Sequence, residues 1–70
     1  MKWINKNDQM PPVESYCNDV SVYVLVTDGE FMGFGYYCFD LYTWIYRMAG
    51  AIEASDNNIT HWMPFPDLPL

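Results

Sequence analysis

The stretch that decides the fold is residues 21–38, which read SVYVLVTDGEFMGFGYYC. Two runs rich in β-branched and aromatic residues flank Asp28-Gly29, and both residues of that pair tolerate positive φ angles. This pattern predicts two antiparallel strands joined by a two-residue type I′ turn. We therefore expect strands near residues 20–27 and 30–38.

The predicted turn also sets the register of the hairpin, with Val26 opposite Phe31 and Leu25 opposite Met32. Because successive side chains point to opposite sides, the hairpin has two faces, and both are apolar. The first face carries Val20, Val22, Val24, Val26, Phe31 and Tyr37, with Gly33 and Gly35 leaving a shallow trough. The second face carries Tyr23, Leu25, Met32, Phe34 and Tyr36.

Residues 41–52 fit two structures. Apolar residues recur there at helical spacing, and Asp40 is a suitable N-cap. The run from Leu41 to Tyr46 is nevertheless rich in strand formers, and Gly50 weakens a helix interior. Local sequence preferences alone do not decide between a strand over residues 41–48 and a short helix within the segment.

The remaining segments complete a β pattern. Residues 59–63 read as a final strand before a proline-rich tail, Trp3-Ile4 reads as an extended start, and residues 54–58 read as a polar loop. The fold class that we predict is mainly β. It is a small antiparallel sheet of meander hairpins with a proline-rich C-terminal tail and, as the alternative, a short helix within residues 41–52.

Length and composition indicate a single small domain, residues 1–70. A chain of this size buries about 60% of the surface that its unfolded form exposes. Three Trp, six Tyr and four Phe supply large side chains for such a thin core. We expect the core to contain Val22, Val24, Val26, Phe34, Trp44, Ile59 and Trp62, although Phe34 also belongs to the second face.

The formal net charge of −6 comes from nine acidic residues, spread along the chain, against three Lys and Arg. This balance disfavours direct binding to nucleic acid or to an anionic membrane, because both need a basic surface. It permits a basic protein partner, or imitation of a phosphate backbone. No signal-peptide pattern follows Lys2 and Lys6, and no apolar run could cross a membrane, so we expect a cytosolic location.

No arrangement of residues predicts catalysis, a cofactor or a metal. His61 is the single histidine, and we expect it to alternate with Trp62 along the last strand and to bond to neighbouring backbone. In the predicted register, Cys17 and Cys38 are diagonal neighbours about 7–8 Å apart between α-carbons. A disulfide needs roughly 4.4–6.8 Å. We therefore expect two buried thiols rather than a bridge.

The chain carries a set of short motifs, most distinctive at its two ends, that occur together in a known family. The chain supplies Trp3-Ile4, Asp8 and Pro11, then Val24-Leu25-Val26, Gly35-Tyr36-Tyr37 and Trp44, and finally Ile59-Thr60-His61-Trp62-Met63-Pro64-Phe65-Pro66. In this it resembles small proteins of tailed phages and prophages catalogued as domain of unknown function 551, which have a Trp-Ile start and a Thr-His-Trp-Met-Pro-Leu-Pro ending. Phe65 stands where that family favours Leu, and Asp67-Leu68 replaces its usual Glu-Pro. The resemblance implies a phage or prophage origin and a strand over residues 41–48, and it implies no catalytic residue.

The favoured function is protein binding. The resemblance, the small size and the surplus of aromatic surface favour a phage-encoded protein that binds and inhibits a host protein, such as an antiviral defence component of the CRISPR type. We expect the partner-binding surface on the second face, at Tyr23, Met32, Phe34 and Tyr36. An exposed apolar surface there would be covered by the target or by a second copy in a homodimer.

Two other classes of function remain open. The first is an acidic nucleic-acid mimic that occupies a DNA-binding groove, which the net charge of −6 motivates and the even spacing of the acidic residues weakens. The second is a small redox or metal enzyme that uses Cys17, Cys38 and His61, and it is the least favoured.

Overall fold

The computed structural model describes residues 2–48 and 53–66. The strands in these ranges are β1 (Ile4–Asn5), β2 (Val13–Glu14), β3 (Cys17–Ser21), β4 (Val24–Thr27), β5 (Met32–Cys38), β6 (Thr43–Met48), β7 (Ala54–Asp56) and β8 (His61–Met63). These strands confirm the mainly β prediction. Within the described ranges there is no helix that could span a membrane.

The strands form one curled antiparallel sheet. In chain order, β4, β5, β6 and β7 make a meander, and β8 then returns to pair with β4. β1 pairs with β8. β6 pairs with β5 along nearly its whole length, so β4 and β3 share the other edge of β5, with β2 beyond β3.

The ambiguous segment is strand over Thr43–Met48, whereas its first two residues, Leu41 and Tyr42, form a turn. β6 pairs with β5 on one edge and with β7 on the other, so the helix alternative is wrong for residues 43–48. The hydrogen bonds of two ladders outweigh the weak local preference for helix. Residues 49–52 lie outside the described residues. The prediction of a loop over residues 54–58 is also wrong in part, because Ala54–Asp56 forms β7.

The hairpin turn is wider than the predicted two-residue turn. Four residues, from Asp28 to Phe31, join β4 to β5. The Asp28 carboxylate accepts hydrogen bonds from the amides of Glu30 and Phe31 at 2.9 and 2.8 Å. The Thr27 hydroxyl donates to the Phe31 carbonyl at 2.7 Å and accepts from the Gly29 amide at 3.0 Å. These side-chain bonds stabilise the longer loop, in which Gly29 supplies a φ of 99°.

The wider turn shifts the register by two residues, so that Leu25 lies opposite Phe34 instead of Met32. Side-chain direction repeats every two residues, and the shift therefore leaves the faces of the β4 and β5 residues as assigned. The assignment of Val20 to the first face is wrong, because Val20 in β3 lies opposite Cys38 and so shares the side of Tyr36. Val24 and Val26 are buried as predicted. Phe34 is 46% exposed, so its place in the predicted core is wrong and only its place on the second face holds.

The predicted first strand of the hairpin is divided into β3 and β4 at Val22-Tyr23. The Ser21 hydroxyl donates to the Val22 carbonyl and accepts from the Tyr37 amide, both at 2.9 Å, so a side chain takes the place of a backbone partner. The Val22 amide bonds to the Pro12 carbonyl at 2.9 Å. This interruption leaves Tyr23 exposed between the two strands.

The core lies on the first face of the hairpin. It comprises Val24, Val26, Trp44, Tyr46, Ile59 and Trp62, with Ile4, Met10, Val22, Tyr37, Met48 and Ala54 packed against it. Every predicted core residue except Phe34 is in one of these two groups, whereas Tyr46 was not predicted. Gly35 lies opposite Tyr46, and a Cβ at Gly35 would collide with the β6 backbone at Ile45 and Tyr46. The predicted trough at Gly33 and Gly35 is thus the place where the backbone of β6 lies closest to β5.

Trp62 joins the start of the chain to the hairpin. It lies opposite Ile4 in β1 and opposite Val26 in β4. Its side chain is buried, and the indole Nε1–H donates to the Gln9 carbonyl at 2.7 Å. The ring therefore contributes apolar burial without leaving its polar group unpaired.

Replacing Trp62 by Ala should lower the free energy of unfolding by about 3–5 kcal/mol, because the change opens a cavity in a thin core and also removes the bond to Gln9. Trp3→Ala is the matched control and should cost less, since Trp3 is 36% exposed whereas Trp62 is 2% exposed. Thermal and urea unfolding of both variants measures the difference. Equal stability of Trp62→Ala and the parent would contradict the buried placement.

A tyrosine in the core ties β6 to the end of β7. The Tyr46 hydroxyl donates to the Asp56 carboxylate at 2.8 Å, and the same oxygen accepts from the Asn58 amide at 3.0 Å. Burial of Tyr46, together with the hydrogen bond and the charge of Asp56, raises the pKa of Tyr46 to about 12. The phenol therefore remains a neutral donor at physiological pH.

Tyr46→Phe should destabilise the protein by about 1–3 kcal/mol, because Asp56 loses a hydrogen-bond donor. The folded-state pKa of Tyr46 lies above its ordinary value of 10.0, so its stabilisation is fully present below pH 10.0 and is lost as the pH rises toward about 12. Urea unfolding at neutral and alkaline pH should show a steeper alkaline loss for the parent than for Tyr46→Phe. Parallel curves for the two proteins would contradict this.

Candidate functional site

The second face of the hairpin is open to solvent. Tyr23 and Met32 are more than half exposed, Phe34 is nearly so, and Tyr36 is half-buried. The alternation of β5 puts Met32, Phe34 and Tyr36 on the same side of the sheet. The four predicted partner-binding residues therefore share an accessible face.

A first groove of about 260 Å³ crosses this face. Its lining includes Tyr23, Phe34, Tyr36, Ile45, Arg47 and Glu53. The register explains the grouping, since Ile45 lies opposite Tyr36 and Arg47 lies opposite Phe34. The structure thus brings together three of the four predicted residues, whereas Met32 is exposed on the same face and does not line the groove.

A second groove, of about 200 Å³, shares Tyr23 and Tyr36 with the first. Its lining is Glu14, Tyr16, Val20, Ser21, Tyr23 and Tyr36. The rings of Tyr23 and Tyr36 pack edge to face, with 5.1 Å between centroids and 63° between planes. We call this pair the tyrosine ridge. Tyr16, which is 83% exposed, stands at the rim of the second groove.

The electrostatics of the two grooves differ. The first groove is lined by one cation, Arg47, and one anion, Glu53, whereas the single charged residue lining the second groove is Glu14. Burial raises the pKa of Tyr36, and its neighbours Tyr23 and Glu53 add to the increase. Tyr36 is therefore uncharged at neutral pH. The net negative charge of the second groove comes from Glu14.

Several residues that line the two grooves were not among the predicted partner-binding residues, and Tyr16, Arg47 and Glu53 are three of them. An antiparallel strand over residues 43–48, in the observed register, places Arg47 beside Phe34, so a signal for Arg47 exists once β6 is aligned with β5. Tyr16 and Glu53 lie in connections between strands, and no local pattern of the sequence marks them.

The other candidate residues lie apart from this surface or bond differently from the prediction. His61 Nδ1 lies 2.8 Å from the Thr60 hydroxyl, so its partner is a neighbouring side chain and not the predicted backbone. Cys38 lies opposite Val20, whereas the predicted register places it opposite Asp19, because the strand interruption and the wider turn change the register. Both cysteines are free thiols, and Cys38 is buried as predicted, but the prediction that Cys17 is buried is wrong because it is half-buried. Among the described residues, no three His, Cys, Asp or Glu side chains are placed to hold a metal ion.

A third cleft, of about 250 Å³, is lined by Trp3, Thr27, Gly29 and His61. It lies where the N-terminal segment and β8 meet the hairpin turn. One indole, one imidazole and one hydroxyl do not select a particular ligand chemistry. This cleft therefore ranks below the two aromatic grooves as a functional site.

The family affiliation follows from comparison with known protein families. The family described as "Protein of unknown function (DUF551)" matches residues 2–70. The chain belongs to the DUF551 family. This confirms the resemblance inferred from the motifs at the two ends. In this DUF551 protein the two end motifs form neighbouring strands, with Ile4 opposite Trp62 and Asn5 opposite His61. The comparisons with curated proteins and with solved structures gave no match.

Proposed function

We propose that this DUF551 protein acts by binding another protein through the first groove and the tyrosine ridge. The observation that carries the proposal is the exposure of Tyr23 and Phe34 beside a groove, on a face that no described residue covers. Contiguous apolar surface of more than a few hundred Å² on a soluble protein usually marks a contact site. Tyr and Arg are among the residues that dominate binding energies, and Arg47 lines the same groove.

The proposed partner has a basic surface around an apolar projection. The projection would fill the first groove against Phe34 and the tyrosine ridge, where its burial removes apolar area from water. The formal net charge of −6 would attract a basic partner over a distance and would repel nucleic acid. Affinity in this arrangement comes chiefly from the aromatic contacts, and charge chiefly accelerates the encounter.

We further propose that the partner is a host protein and that binding blocks its activity. The motifs around Trp3-Ile4 and His61-Trp62 support this, because they resemble those of small phage and prophage proteins. Under this proposal the protein works in the host cytosol and performs no catalysis. A target in antiviral defence, such as a CRISPR-type component, fits a small protein that inhibits by covering a surface.

The decisive experiment compares Phe34→Asp with Tyr42→Asp. Phe34→Asp places a charge in the first groove and should weaken partner binding at least about 30-fold, as expected for an interface hot spot. Tyr42 is 76% exposed and lines neither groove, so Tyr42→Asp makes the same change in charge elsewhere and should leave affinity nearly unchanged. Stoichiometric partners are recovered from host lysate with the tagged parent, and calorimetry with the purified partner compares the folded variants.

Different results would contradict different parts of the proposal. Equal affinity of Phe34→Asp and Tyr42→Asp would exclude the first groove as the contact surface. Failure to recover any stoichiometric host protein would contradict a host partner. In that case, a dimer mass in light scattering that Phe34→Asp abolishes would identify a homodimer as the occupant. A binding affinity that falls steeply with salt concentration and is unchanged in Phe34→Asp would favour nucleic-acid mimicry instead.

A further inference from the structure

The second groove has the composition of an aromatic cage. Three tyrosines, Tyr16, Tyr23 and Tyr36, line it together with one charged side chain, Glu14. No lysine or arginine is among the described residues that line this space of about 200 Å³. The rings of the tyrosine ridge stand at 63° to each other and therefore present aromatic surface in two directions.

Glu14 offers one carboxylate oxygen to a ligand. Its Oε1 accepts hydrogen bonds from the Ser15 amide at 2.9 Å and from the Ser15 hydroxyl at 3.4 Å. Its Oε2 has no hydrogen-bond partner among the described residues. The bonds to Ser15 restrict the rotation of the carboxylate, so the remaining oxygen is held in a limited range of orientations.

Aromatic rings and a carboxylate attract the same kind of ligand, an organic cation. The faces of tyrosine rings carry negative quadrupolar charge, and a cation within about 6 Å of a ring gains from it. We propose that the second groove binds the ammonium group of a lysine side chain on the partner protein; the existence of that partner rests on the function proposed above. The alkyl stem of the lysine lies along the tyrosine rings, and Glu14 accepts a hydrogen bond from the ammonium group.

The geometry of Glu14 favours lysine over arginine. A guanidinium group binds a carboxylate best through two parallel hydrogen bonds, which need both oxygens. One oxygen of Glu14 already accepts two hydrogen bonds from Ser15, which leaves it no free lone pair for the second bond of a bidentate pair. An ammonium group is a compact charge that one oxygen and the surrounding rings can satisfy.

The test is an NMR titration of the isolated protein with Nα-acetyl-lysine methylamide, which keeps a charged side-chain ammonium group. The ring resonances of Tyr16, Tyr23 and Tyr36 should shift and saturate. The uncharged analogue N-acetyl-norleucine methylamide should bind more weakly, and so should N-acetyl-arginine methylamide. Glu14→Gln should weaken binding of the lysine probe about two- to fivefold, as expected for an exposed charge contact. Glu30→Gln is the matched control, because Glu30 is exposed in the hairpin turn and lines neither groove.

Tyr16→Ala provides a second variant that leaves the core untouched, since this side chain is 83% exposed. It should weaken the lysine probe by a similar factor, whereas Tyr42→Ala should not. Equal shifts with the norleucine analogue would overturn the cation site. Equal effects of Glu14→Gln and Glu30→Gln would overturn the role of Glu14, and equal affinity for the arginine analogue would overturn the choice of lysine.

The lysine site and the proposed function can fail separately. The probe titration needs no partner, so it can succeed when no host protein is recovered. Conversely, partner binding that falls in Phe34→Asp and is unchanged in Glu14→Gln and Tyr16→Ala would support the proposed function and remove the lysine site.

Discussion

The structure depends on the position of β8 between β4 and β1. Three residues of β8 provide backbone partners for two strands that are distant from it in sequence. The Thr60 amide extends this pairing to the Thr27 carbonyl at 2.9 Å, and the Lys6 amide donates to the Thr60 carbonyl at 3.0 Å. Trp62 enters the core at the same place. Without β8, β4 would lack a partner on one edge and β1 would lack its only described partner strand.

The same arrangement explains why one face of the sheet remains available for binding. The hairpin is apolar on both sides, and a chain of 70 residues forms a single sheet around a single core. The core takes Val24, Val26 and the side of β6 that bears Trp44 and Tyr46. The opposite side keeps its aromatic residues at the surface. There the tyrosine ridge separates the first groove, which is lined by one cation and one anion, from the second groove, whose single charged residue is an anion.

Local sequence patterns predicted the faces of the β4 and β5 residues, but neither the register of the hairpin nor the face of Val20 in β3. Alternation alone separates Val24 and Val26 from Tyr23 and Phe34, and this separation survives any shift of two residues. The register depended on the side chains of Thr27 and Asp28, which bond to the backbone of the turn. The preference of Asp-Gly for a two-residue turn does not include these side-chain hydrogen bonds, so it could not predict the wider turn.

The site was predictable to the extent that it lies on one hairpin. Tyr23, Phe34 and Tyr36 follow from the alternation of two neighbouring strands. Arg47 depends on how β6 aligns with β5, and that alignment involves a segment whose local preferences were divided between helix and strand. Tyr16 reaches the second groove through a connection outside the strands, and neither spacing nor composition carries that information.

The position of β8 also has a consequence for how the chain folds during its synthesis. Of the described strands, β1 leaves the ribosome first and β8 last, yet Ile4 must pair with Trp62. Closing so long a loop costs chain entropy before the contact returns any energy, and folds rich in such pairs form slowly. Until β8 arrives, the nascent chain presents an unpaired edge of β4 beside Val24 and Val26, an apolar strand edge of the kind that joins other chains. This edge of β4 therefore stays without its partner until the last of the described strands has been synthesised.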